Sequence, residues 1–283
     1  MVATRALLAT IALVALVGCR TKDEPRVEVK SDPIASASKS AAPSPSPSPS
    51  PTVAPPPKTR PDTGDLVAIP AGHRKGGPPV AAFSIDRTEV SSAAYEACVT
   101  AGSCTKTPKQ MLCLHGDAKF PANCMTQPQA VAFCAWAGKR LPTAEEWDYA
   151  ARGSDGRRWP WGGYAPPVAK AEPYMCGFNS TAYPEQPCEI GSAPKGVGPF
   201  GLLDMAGNVQ EWTSTKGSDG FVAMGYCNCE ASMPGYEDDN DWWNAVEKGW
   251  RSDREASSIG SAAGFRCAGD FADGTPVADA GAP

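Results

Sequence analysis

The chain has 283 residues, room for one large domain or two small ones, and 42% of them are apolar, enough for a buried core. A net charge of −5 with no basic patch argues against nucleic acid as a partner. Eleven cysteines point to an oxidising compartment.

Arg5 gives a short positive start, and Ala6 to Val17 is almost wholly apolar but too short to span a bilayer as a stable anchor. The segment ends in Leu16-Val17-Gly18-Cys19, which resembles a bacterial lipoprotein signal. Cleavage before Cys19 would leave its thiol to carry acyl chains such as palmitate; an ordinary secretory signal with a chance cysteine is the alternative. Removing Cys19 leaves ten cysteines, an even number that can all pair. Arg20 follows, where aspartate would favour the inner membrane, so the expected address is the cell envelope, lipid-anchored at the outer membrane, on its periplasmic or surface face.

Residues 19–61 read as a lipidated cysteine and a tether. Ser and Pro alternate from Ser44, and proline fixes φ while serine keeps the strand soluble. At ~3.1 Å per residue when extended, such a tether reaches on the order of 100 Å. It cannot bury apolar area and is predicted to be disordered.

The domain is predicted over residues 62–272. Leu66, Val67 and Ile69 read as a strand ending at Pro70-Ala71-Gly72, and Ala82 to Ile85 as a second. Ser91 or Ser92 caps a helix with Tyr95, Cys98 and Val99 on one face and Gly102 at its end. Cys104, Cys113, Cys124 and His115 lie in the loop that follows. A second helix runs from about Pro128 to Ala137, with proline tolerated in the first turn. Thr143 and Glu146 fit a capping box for a third, whose buried face is Trp147, Ala150 and Ala151. Beyond Gly153, the abundance of Gly, Pro, Trp and Asn predicts short strands and long loops without a further long helix. Trp159, Trp161, Trp242, Trp243 and Trp250 could line a groove, although core and loop-pinning roles are the default. Asp238, Asp239 and Asp241 read as a solvated acidic loop, and residues 273–283 as a flexible tail.

The densest stretch is Gly201 to Thr213, GLLDMAGNVQEWT. Leu202, Leu203, Met205, Val209 and Trp212 can face a core, while Asp204, Asn208 and Glu211 carry oxygen. A turn flanked by Asp204 and Glu211 could aim two carboxylates and some carbonyls at one hard cation such as calcium. It could equally be a buried turn whose polar side chains satisfy local backbone groups.

This stretch resembles the GLYDMAGNVWEWT motif of the formylglycine-generating enzyme family, the sulfatase-modifying factors. VAIPAG (from Val67), FSIDRTEVSSAAYEACV (from Phe83), CAWAGKRLPTAEEWDYAARG (from Cys134) and GFRCA (from Gly264) resemble the same family in the same order. The resemblance implies an α+β fold, the formylglycine-generating-enzyme fold of C-type-lectin-like arrangement, disulfide-stapled, with few helices, short strands and long loops. It also implies a structural calcium held by Asp204, the carbonyls of Gly207 and Val209, and Glu211. A disulfide between Cys134 and Cys267 is implied as well. It would close a loop of over a hundred residues, worth roughly 4 to 5 kcal/mol in the entropic account. Proximity alone pairs Cys98 with Cys104, Cys113 with Cys124 and Cys176 with Cys188, pairings that sequence does not fix.

Catalytic members of the family carry an RGGSW-like segment followed by two cysteines five apart. These bind copper(I), which activates oxygen to turn a substrate cysteine into formylglycine. Here the segment reads VAMGYCNC, Val222 to Cys229, so Cys227 and Cys229 are two apart, and Gln210 replaces the motif's tryptophan. Cysteines at i and i+2 on a strand face the same side, and thiolates suit copper(I). The even cysteine count favours a disulfide instead. His73 and His115 are too few for the three-histidine iron site of ergothioneine-type relatives, and no HExxH, GxSxG or phosphate-binding glycine loop occurs.

Three functions follow. The first is an exported lipoprotein, membrane-bound through Cys19, whose domain is a non-catalytic module for a ligand or a protein or peptide partner. The second is a copper- and oxygen-dependent oxidase with Cys227 and Cys229 as catalytic residues. The third is a structural component of a surface assembly.

Overall fold

A computed structural model of the chain describes residues 65–107, 118–167, 170–171, 174–176, 187–227, 239–248, 250–257 and 263–270, all within a compact unit that spans Thr52–Pro283. The expected signal segment, Cys19, the tether, the C-terminal tail, Cys113, His115 and Cys229 lie outside the described residues. Among the described residues, no helix is long and apolar enough to cross a membrane.

The elements in chain order are β1 (Leu66–Ile69), β2 (Phe83–Asp86), α1 (Ser92–Thr100), α2 (Gln127–Trp136), α3 (Ala144–Arg152), β3 (Gln210–Lys216), β4 (Phe221–Met224), α4 (Asp239–Lys248), β5 (Arg251–Arg254), β6 (Ala263–Gly264) and β7 (Ala268–Asp270). Two small sheets carry them. One has the order β1-β2-β7, the other β5-β4-β3-β6. In the first sheet all pairs are antiparallel, with Ile69 opposite Phe83 and Ile85 opposite Ala268. The first and last strands of the domain are thereby held through β2. In the second sheet β3 pairs antiparallel with β4 and parallel with β6, which sets Glu211 opposite Gly264.

Local chemistry starts each of the first three helices. Ser91 accepts a hydrogen bond from the Ala94 N–H. Thr126 with Gln129, and Thr143 with Glu146, form full capping boxes. Each cap contributes about 1 kcal/mol. The box at Thr126 places the start of α2 slightly ahead of the predicted Pro128.

α4 departs from the expectation of a second half without long helices. Trp243 and Val246, at i and i+3, are buried, as is Trp250 just past the end of the helix, whereas Asn244, Glu247 and Lys248 are exposed. That buried face outweighs the local polarity. The acidic run is therefore partly helix, not loop. Asp238 and the side chains of Asp239, Asp241 and Trp242 lie outside the described residues.

Two apolar clusters fill the interior. Trp147, Trp159, Phe83, Ile85 and Leu202 anchor one, and Phe133, Phe265, Tyr95 and Trp212 the other. Trp147 meets Trp250 edge-to-face at 5.6 Å, and Phe133 meets Phe265 at 5.3 Å. Trp159, Trp243 and Trp250 are buried and so build core, while Trp161 stacks on Trp159 and donates its indole N–H to the Tyr164 carbonyl at 2.7 Å. These four described tryptophans pin loops to the core; they do not line an open groove.

Disulfides join Cys98 to Cys104, Cys134 to Cys267 and Cys176 to Cys188. Cys124 and Cys227 are disulfide-bonded too. The Cys134–Cys267 bridge ties α2 to the approach of β7. Beside it, Lys139 Nζ donates to Asp86 Oδ1, with both side chains at most 3% exposed, and Asp86 Oδ2 accepts from the Cys267 N–H at 2.9 Å. Burial outweighs the pull of Lys139 and lifts the Asp86 carboxyl to about 6.

Candidate functional site

The Gly201–Thr213 stretch turns tightly before it becomes β3. Asp204 and Asn208 have φ of 56° and 60°, and Gly207 has 87°. Aspartate and asparagine visit this left-handed region more readily than other side chains. At Gly207 a Cβ would meet Met175 Cβ at 2.9 Å, so only glycine fits. The Leu203 N–H donates to the Arg87 carbonyl at 2.9 Å, which docks the turn on the segment just after β2.

β3 then carries Glu211 inward. Its Oε2 accepts from Arg266 Nε at 2.7 Å and from Trp147 Nε1 at 2.8 Å, and its Oε1 accepts from Arg266 Nη2 at 2.7 Å. This is a two-point fork between a carboxylate and a guanidinium. Arg266 spends its remaining N–H groups on the carbonyls of Asp86 (3.2 Å), Arg87 (2.9 Å) and Leu203 (3.0 Å). It is wholly buried; burial works against its charge, but Glu211, with Glu89 and Asp204, holds the pKa above the ordinary arginine value.

Beside this closed fork lie acidic groups that are not satisfied. Asp204 Oδ2 accepts from the Gly191 N–H, but its Oδ1 is buried without a partner. Glu89 is 3% exposed, and neither of its carboxylate oxygens accepts from a backbone, basic or neutral donor; its carboxyl pairs only with that of Asp204. Burial pushes the Glu89 carboxyl well above the usual range, and the neighbouring Asp204 carboxylate pushes it further. Asp204 is raised as well, through burial above all, against the pull of the Gly191 N–H. Asn208 Oδ1 accepts from the Cys188 N–H at 3.0 Å, and its Nδ2 is buried without a partner.

The orphaned oxygens of Asp204 and Glu89 suit a hard cation, which takes oxygen ligands and offsets adjoining buried carboxylates. Glu211, which the family resemblance assigns to calcium, already has both oxygens engaged by Arg266 and Trp147. The donor set thus fits in part, with Glu89 open where Glu211 is engaged. Among the described residues, no group of three or more His, Cys, Asp or Glu is placed to hold a metal ion, so further ligands would have to be backbone carbonyls, such as those of Gly207 and Val209, or water. Sequence reasoning did not single out Glu89. Its signal was an acidic residue next to apolar Val90, in a short link between a buried strand and a helix cap.

The VAMGYCNC segment, the alternative carrier of copper chemistry, begins in β4 and runs on past its end. Gly225 has φ of 78°; its N–H donates to the Trp250 carbonyl at 2.9 Å, and a Cβ there would sit 3.3 Å from the Trp147 ring. Cys227, two residues on, is 2% exposed and disulfide-bonded. A sulfur in a disulfide offers no thiolate for copper(I). Gln210, at the motif's tryptophan position, accepts from Arg254 Nη1 at 2.6 Å. His73 is exposed.

Residues 52–271 match the model of the sulfatase-modifying factor enzyme 1-like domain. A formylglycine-generating enzyme of Mycobacterium tuberculosis is 41% identical over 107 residues, covering 35% of this chain and 34% of that one. A Bos taurus relative, the inactive C-alpha-formylglycine-generating enzyme 2, is 38% identical over 112 residues, again covering 35% of this chain and 34% of that one. The chain thus spans about a third of the length of these curated relatives. Among solved structures, PvdO from Pseudomonas aeruginosa matches with a TM-score of 0.53 at 20% identity, over 74% of this chain and 95% of that one. That likeness concerns the α+β fold alone.

Proposed function

Because the chain belongs to the sulfatase-modifying factor enzyme 1-like domain family, we propose that it is an exported, membrane-anchored binding or assembly module of that family and not an oxidase. The observation that carries this reading is Cys227. It is buried and disulfide-bonded where the family resemblance expects a thiolate. Copper(I) chemistry on a substrate thiol needs reduced cysteines, and the VAMGYCNC sequence has lost the spacing that goes with them.

In this reading Cys19 carries lipid and residues 20–61 hold the domain off the membrane, at the outer membrane of a bacterial envelope. The domain then binds a ligand or a protein or peptide partner. Calcium serves as a structural cation, with Asp204 and Glu89 as its acidic ligands. When bound, it supplies positive charge that offsets two buried carboxylates.

The oxidase is the second reading, favoured by the 41% identity to a formylglycine-generating enzyme. The two separate in an oxygen electrode. Purified protein supplied with copper(I) and a cysteine-bearing peptide is expected to consume no oxygen above the copper blank. Sustained consumption, lost in Cys227→Ser, would establish the oxidase instead.

A further inference from the structure

A cavity of about 150 Å³ lies where the turn at Arg74 to Pro78 faces the first turns of α3 and the start of β5. Arg74, Glu145, Asp148 and Arg251 supply its charge. Among the described arginines, the others all donate hydrogen bonds, as Arg266 does to Glu211 and Arg157 to Asp155. Arg74 and Arg251 make only loose ion pairs. Arg74 Nε is 3.3 Å from Asp148 Oδ2 but is buried without a hydrogen bond, and Arg251 Nη1 is 3.6 Å from Glu145 Oε1.

The carboxylates in the cavity are differently placed. Asp148 Oδ1 is committed to Arg152 Nε at 2.7 Å and to Trp250 Nε1 at 3.0 Å. Glu145 Oε2 accepts from Thr215 Oγ1 at 3.3 Å, which leaves Oε1 with Arg251 alone. Two guanidinium forks with open donors therefore face one space, beside two carboxylate oxygens, Glu145 Oε1 and Asp148 Oδ2, that hold ion pairs without a hydrogen bond. Guanidinium forks match carboxylates in two-point geometry. A dianion such as phosphate would be opposed by Glu145 and Asp148, whereas a single carboxylate joined to an ammonium complements both signs. With roughly 30 Å³ per water in the liquid, the cavity has room for an amino-acid head group and a short side chain.

We propose that this cavity binds the zwitterionic head of a small amino acid, its carboxylate on Arg74 and Arg251 and its ammonium on Glu145. The site gives the binding module a ligand class and rests on that reading.

The test is calorimetric titration of the full chain with glycine and alanine, with acetate and methylammonium as half-ligands. Saturable binding of at least one amino acid is expected, with each half-ligand at least tenfold weaker. Arg74→Lys and Arg251→Lys keep the charge but lose the fork, and each is expected to weaken amino-acid binding about tenfold. Glu145→Gln should weaken the amino acid while leaving acetate unchanged or tighter. The proposal is overturned if neither amino acid saturates up to about 20 mM, if acetate binds as tightly as they do, or if folded lysine variants bind like the parent. None of these results alters the oxygen-electrode measurement, so the ligand can fail while the non-catalytic reading stands, and the reverse.

Discussion

Two acidic regions share the neighbourhood of Arg266 and behave differently. Glu211 is closed. Arg266 and Trp147 take both its oxygens, and every N–H of Arg266 is in turn spent on Glu211 or on backbone carbonyls. Glu89 and Asp204 are open, with three orphaned carboxylate oxygens under almost complete burial. Carboxylate count alone therefore does not identify a cation site. A candidate is marked by which carboxylates the fold leaves without protein donors.

The closed side gives the largest expected effect. Removing one partner of a buried ion pair strands the other, so Arg266→Met should cost about 3 to 5 kcal/mol in urea unfolding. A loss below about 1 kcal/mol would mean the fork is not a structural element. The open side gives the next. If calcium is held by Glu89 and Asp204, free calcium at a hundred times its dissociation constant stabilises by about 2.7 kcal/mol, and chelation removes that. Glu89→Gln should make the melting temperature indifferent to chelator, which no purely structural role for Glu89 would do.

A third measurement uses Asp86, a buried acid with a partner. Its folded pKa of about 6 lies above its ordinary value of 3.8, so the folded state binds more protons between these values. Its contribution is fully present below the lower value and is lost as pH rises through about 6. The stability difference between the parent and Asp86→Asn should therefore fall by about 1 to 3 kcal/mol from pH 4 to pH 7. A difference that rises with pH would mean that Lys139 dominates over burial. The smallest effect is at the cap of α3, where Thr143→Ala should cost about 1 kcal/mol and leave the chelator response unchanged.

What the sequence disclosed follows the range of the physics. The strand at Leu66–Ile69 and the capping box at Thr143 are written in adjacent residues, so both could be read directly. The Cys134–Cys267 bridge is long-range, and only the family resemblance made it legible. α4 was hidden because its acidic, Trp-rich start reads as loop until the burial of Trp243 and Val246 reveals the helix's buried face. Glu89 was hidden for a deeper reason. Nothing in TEVSS says that the carboxylate turns inward beside Asp204, or that Arg266, 177 positions later, takes Glu211 instead. Likewise, Gln210 could be seen as a departure from the motif, but its bond to Arg254 belongs to the folded chain.

The most direct test of the account is a non-reducing alkylation map of Cys227 in protein isolated without reductant. The account predicts a Cys227 peptide that stays unmodified until reductant is added and then becomes fully labelled. Immediate labelling of the native protein, or protection by bound copper(I) in place of a disulfide, would contradict it.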